Sequence, residues 1–140
     1  MTEILSCLVE EHAFGRVAVA GLICLCAATI SFGLAERGRL AAGPARWAWS
    51  GVAGLVAGSG IWATHFVAML AWSPGLPVAF QPGRTILSIV IAVVGATLAF
   101  VAAGRPGPRE RTLGGILLGL AVGAMHYTGM AALEVQAFTR

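Results

Sequence analysis

Four long apolar runs, separated by short stretches rich in Arg, Gly and Pro, set the pattern of this chain: about Phe14 to Ala35, Trp47 to Trp72, Thr85 to Ala103 and Leu113 to Leu133. Each is as long as the roughly 17 to 25 residues a helix needs to cross the hydrocarbon of a bilayer. A helix also satisfies every backbone polar group within its own segment, which lipid demands. The connections run from Glu36-Arg37-Gly38-Arg39 to Arg46, from Ser73-Pro74-Gly75-Leu76-Pro77 to Arg84, and from Gly104 to Arg111. None is long enough for a soluble domain, and their Gly and Pro residues punctuate turns. The pattern predicts an all-α polytopic membrane protein, one domain over 1–140, with four transmembrane helices arranged as two repeated helical hairpins.

Composition strengthens this picture, and charge gives it a direction. The chain is 58% hydrophobic and 11% charged, with no Lys and no Asp; its nine Arg give a net charge of +3. That excess belongs beside membrane segments and not to a nucleic-acid footprint, so no nucleic-acid partner is expected. Arg37, Arg39, Arg46, Arg105, Arg109 and Arg111 lie in the first and third connections, against Arg16, Arg84 and Arg140 on the other side. The positive-inside bias then places those two connections in the cytoplasm and both termini outside. Trp47, Trp49, Trp72 and Phe138 suit interfacial belts. Met1-Thr2-Glu3 lacks a basic n-region, so the first run is expected to be a retained helix and not a cleaved signal. Cys7, Cys24 and Cys26 lack metal-type spacing, and the two in the membrane read as small buried hydrophobes.

Candidate chemistry concentrates near the end of the last run, in Gly123-Ala124-Met125-His126-Tyr127-Thr128-Gly129-Met130. Polar groups inside a membrane segment are expensive and usually functional. An imperfect copy lies 61 residues earlier, Thr64-His65-Phe66-Val67-Ala68-Met69. In each copy a His precedes a Met by four residues, one helical turn on the same face. Extending those faces back gives Gly54 and Gly58 in the second helix and Gly115, Gly119 and Gly123 in the fourth, where small residues at such spacing let membrane helices approach. Both His residues lie seven residues before the outer ends of their runs, about 10 Å below the boundary at 1.5 Å per residue, and His12 stands just outside the first run. His65, His126, His12, Met69, Met125 and Met130 together match copper, since thioether is soft and imidazole suits either oxidation state. Zinc prefers thiolate, imidazole and carboxylate, and carboxylates are sparse here. Tyr127 and Thr128 stand where they can orient a ligand. Two alternatives remain open: a b-type haem with His65 and His126 as axial ligands, or a structural subunit whose histidines only bond between helices. No nucleophile beside a base, paired carboxylates or phosphate-cradling loop is evident, so enzyme activity is not expected. A transporter fits poorly, because no charged residue lies deep in a run.

Met125-His126-Tyr127-Thr128 spells the signature of the MHYT integral-membrane sensor domain of bacteria, which this chain resembles from about Glu10 onward. Gly60 to Ala71 looks like a first copy of that motif, with Thr64 where the family usually has Met, and Glu11-His12 resembles the family's amino-terminal His. The resemblance implies a sensor in the bacterial inner membrane that holds copper near the outer face and detects oxygen, carbon monoxide, nitric oxide or redox state. By position it assigns His65, Met69, Met125, His126 and Met130 as ligands, with Tyr127 as neighbour and His12 as an addition. The family's third motif copy is missing, and no output domain follows Arg140 in this sequence. The expectation is therefore a short or truncated form that signals through a separate partner protein, or a chain that completes its site as a homo-oligomer in the lipid bilayer.

Overall fold

A computed structural model describes residues 11–71 and 78–135, without the side chains of 11–13, 78, 134 and 135. Four helices dominate: α1 (Glu11–Leu40), α2 (Pro44–Ala71), α3 (Pro82–Ala103) and α4 (Pro108–Ala131). All four are long and apolar enough to cross a membrane, so the chain is an all-α, multi-pass membrane fold. All four start before their apolar runs and α1 also runs on past the end of its own, whereas α2 and α4 stop just short of theirs, because a helix does not end where hydrocarbon does. The last turn of α1 carries Arg37 and Arg39, whose long stems let the charge reach water. The other three begin on Pro44, Pro82 and Pro108, whose fixed φ and missing N–H suit a first helical position. Two of these prolines follow a glycine with positive φ, Gly43 at 60° and Gly107 at 133°. Only glycine takes such conformations freely, and here they let two antiparallel helices join through a few residues.

A short antiparallel ribbon, absent from the sequence expectation, closes the opposite end. Strand β1 (Val78–Phe80) pairs with β2 (Leu133–Val135), with Phe80 opposite Leu133. Gln81 N–H extends the ladder to Ala132 O at 2.8 Å. Three-residue strands are too short to show a period of two in sequence.

In space the helices follow chain order: α1 packs on α2, α2 on α3 and α3 on α4, while α2 and α4 touch over a short stretch. The interior is made of small residues. Ala53, Ala57 and Ala96 are buried with Phe100, backed by Leu34, Ala35 and Leu118, and Phe32 meets Phe100 edge-on at 6.0 Å. Large side chains such as Leu22, Leu55, Ile86 and Leu120 face outward. That inversion is what lipid permits, since tails are as apolar as Leu and helices gain by close backbone approach. Gly54 and Gly58 show it: a Cβ there would come within 2.5 Å of the Cα atoms of Thr97 and Val93 on α3.

The two hairpins are structural equivalents. Adding 61 carries α2 onto α4, and adding 68 carries α1 onto α3, as Arg16 to Arg84 shows. Arg16 donates to Leu70 O at 2.5 Å, and Arg84 donates to Ala131 O at 2.6 Å. Gly60 lies against Ala27, and Ala121 lies against Gly95, the same contact with its small residues exchanged. Thr29 bonds Leu25 O and Thr97 bonds Val93 O, both at 2.8 Å.

Candidate functional site

The site lies at the ribbon end, where α2 and α4 come together. Gly129 makes the approach possible: a Cβ on it would stand 2.8 Å from His65 Nε2 and 3.1 Å from Cδ2, so the His65 ring rests on the bare backbone of α4. From α4, His126 reaches back across. The two Nδ1 atoms are 3.3 Å apart, and the rings meet edge-on at 4.9 Å between centroids and 79°. The histidines that the sequence repeat pairs are thus brought into contact. His65 is half-buried, and its Nε2 is buried without a hydrogen-bond partner, a state that buried polar atoms ordinarily avoid.

An aromatic wall holds the His65 side. Phe66 packs edge-on to His65 at 5.1 Å and to Phe80 of β1 at 5.3 Å, and Trp62 tilts against Phe66 at 4.8 Å. Trp62 is fixed in turn, because its indole N–H donates to Ser88 Oγ on α3 at 3.1 Å, and that hydroxyl donates to Thr85 O at 2.7 Å. Among the second motif's neighbours, sequence reasoning missed Gly129, and it missed the Trp62–Ser88 link and the part played by the ribbon. Gly129 carried a signal, lying four residues after Met125 in the motif; Ser88 carried none, since only the fold brings it to Trp62.

The methionines separate by burial. Met125, one residue before His126, is the most enclosed, 1% exposed on the face of α4 shared by Gly114, Ala121 and Gly129. Met69 is half-buried, and Met130 is 42% exposed. His126 itself lies on the open flank of α4, with Tyr127 77% exposed and its ring 5.5 Å from the imidazole. Thr128 donates its hydroxyl proton to Ala124 O at 2.8 Å, so it can only accept from a ligand. The side chain of His12 lies outside the described residues, as do Trp72, Phe138 and Cys7.

The expected glycine face needs correction in its second half. Gly54 and Gly58 do pack, but against α3; Gly115, Gly119 and Gly123 meet nothing within 4 Å of an added Cβ. The reason is that α4 lies mainly against α3 and meets α2 over a short stretch only, and the glycines on its inner side are Gly114 and Gly129. Cys24 and Cys26 are likewise exposed and not buried, Cys24 at an open pocket that Ala57 of α2, Phe100 of α3 and Leu118 of α4 also line.

Fold and site together define a small multi-pass membrane protein, built from a repeated helical hairpin, that pairs one histidine from each repeat beneath one end of the bundle. The chain belongs to the MHYT family, described as the N-terminal repeat of bacterial signalling proteins, which matches residues 58–116 and 119–140. It is 43% identical over 135 residues to a signalling protein of Caulobacter vibrioides, covering 96% of this chain and 17% of that protein. It is 41% identical over 121 residues to the cyclic di-GMP phosphodiesterase NbdA of Pseudomonas aeruginosa, covering 84% of this chain and 15% of the relative. To the same organism's bifunctional diguanylate cyclase/cyclic di-GMP phosphodiesterase MucR it is 37% identical over 119 residues, 84% and 17%. The chain therefore spans under a fifth of the curated relatives it matches, as an MHYT sensor domain of membrane signalling proteins. No solved structure matches it.

Proposed function

We propose that this domain is a membrane sensor that holds a metal ion, copper by preference, between His65 and His126 near the outer face, and passes a change of occupancy or of redox state to a signalling partner. The observation that carries the reading is the 3.3 Å separation of the two Nδ1 atoms. Two nitrogens each bonded at about 2.0–2.1 Å to a tetrahedral centre stand about 3.3–3.4 Å apart, so the pair already has the spacing of two adjacent ligands. Among the described residues no group of three or more His, Cys, Asp or Glu stands together, which leaves thioethers as the further donors. Met125 is buried one residue from His126, and Met69 is one turn beyond His65. Imidazole with thioether favours copper over zinc. Met130 and His12 would complete the set from the rim.

A copper ion would supply a redox-active centre with affinity for diatomic gases, which is the chemistry this reading assigns to the domain. The chain's own part is to fix the donors: Gly129 and the Trp62–Phe66 wall hold His65, and the tightness of α2 against α3 holds both in register. The haem alternative is less well supported, because 3.3 Å between the nitrogens leaves no room for a flat macrocycle. A purely structural role would be a hydrogen bond from one Nδ1 to the other at the same spacing.

Metal content separates the readings. Protein purified from copper-supplied cells is expected to retain close to one copper per histidine pair and to lose it in the joint His65→Ala, His126→Ala variant. Equal copper in both proteins would remove the metal reading, and a Soret band in the parent protein would turn it toward haem.

A further inference from the structure

The equivalence of the hairpins extends to contacts that one copy of the chain leaves unmade. Inside the chain the hairpins join through α2 and α3: Gly54 and Gly58 receive the backbone of Thr97 and Val93. On α4 the equivalent positions are Gly115 and Gly119, and both are open. On α1 the equivalents of Val93 and Thr97 are Leu25 and Thr29, and both are exposed, Leu25 to 64%. The likeness of Thr29 and Thr97 is structural as well, since each bonds the carbonyl four residues back, at Leu25 and at Val93. One edge of the molecule thus repeats the glycine half of its internal joint, and the other edge repeats the half that fills it.

We propose that the open face of α4 at Gly115 and Gly119 seats α1 of a second copy of this chain through Leu25 and Thr29, repeating between copies the α2–α3 joint found within each. The contact is head-to-tail, and such contacts close into rings when the rotation allows; two copies would consume all four edges. A second observation points the same way. His126 lies within about 20° of Gly115 and Gly119 around α4, at 100° per residue, and it is exposed together with Tyr127. An imidazole facing hydrocarbon is costly, and a helix seated on this face covers it. This inference goes beyond the metal reading and does not need it.

The test uses the whole chain in detergent or nanodiscs. Parent protein is expected at a multiple of the monomer mass by native mass spectrometry. Gly115→Leu with Gly119→Leu is expected to reduce it to monomer with unchanged helicity, since neither side chain meets anything within one copy. With native cysteines replaced, chains carrying L25C mixed with chains carrying G119C are expected to cross-link to each other through a short thiol-reactive bridge. A monomeric parent, an oligomer untouched by the leucines, or cross-links only between two G119C chains would overturn the proposal. None of these outcomes depends on copper, so a failed metal test leaves this one standing.

Discussion

At the scale of single residues, Gly129 decides the site. The His65 ring lies where a methyl group on Gly129 would be, 2.8 Å from Nε2, so Gly129→Ala must turn the ring or part the helices. Groups that orient a ligating histidine are worth about 10–100-fold in metal affinity. Gly129→Ala is therefore expected to weaken copper retention at least about 10-fold in a competition titration against a chelator. Gly123→Ala, with nothing within 4 Å, should leave it unchanged; equal loss in both variants would mean that packing at Gly129 has no bearing on the pair. Much at this scale was legible beforehand. The 61-residue repeat named His65 and His126, and they meet. The methionines were not legible in the same way, since shared spacing favoured Met130, whereas Met125 is the one enclosed. Which side of α4 turns inward depends on where α3 lies, and spacing within α4 holds no record of that.

The joint between α2 and α3 governs the scale of elements. Alanine and glycine replace the large core residues of a soluble protein, so stability comes from backbones in contact. Gly54→Val puts a branched side chain 2.5 Å from Thr97 Cα, and overpacking of this kind typically costs about 1–3 kcal/mol. A lower melting temperature is expected for Gly54→Val and none for Gly51→Val on the same helix, where an added Cβ meets nothing within 4 Å, measured in the same detergent; equal melting of the two would show that the close approach contributes nothing. Arg84 supports the end of α4 by donating to Ala131 O. Hydrogen bonds from a charged donor contribute about 1.5–3 kcal/mol when enclosed, less when exposed as here. Arg84→Gln is expected to fray the last turn of α4, seen as faster amide exchange at Met130 and Ala131 with α1 unaffected. The four helices and the repeat could be read from apolar runs. Their ends could not, because Pro and Arg extend a helix past the hydrocarbon. Neither could the ribbon, whose two strands flank the α3–α4 hairpin and meet because that hairpin brings its ends together.

For the molecule as a whole, the two ends differ in charge more than a count of Arg shows. At the loop end stand Arg37, Arg39, Arg46, Arg105, Arg109 and Arg111 against Glu36 and Glu110, with one ion pair between Arg39 and Glu36 at 2.9 Å. Arg37 lies over the Trp49 ring at 5.6 Å, and Arg46 donates to Gly104 O, tying the first connection to the third. At the ribbon end the two described arginines are turned onto helix carbonyls. Since positive charge is retained on the cytoplasmic side, the loop end is expected inside and the histidine pair outside. Arg105→Cys should then react with a membrane-impermeant thiol reagent only in inverted vesicles, in a background without native cysteines; labelling of intact spheroplasts would reverse the orientation. If it holds, and if the histidine pair is the sensing site as proposed, a signal received at His126 has to travel the length of α4 to Pro108, about 27 Å at 1.5 Å per residue. Close-packed glycine joints suit that task, because they slide or separate as units and do not deform locally. A ligand moves such a joint only by favouring one packing over another. The variants that loosen the α2–α3 joint should therefore change signalling output even where copper content is normal.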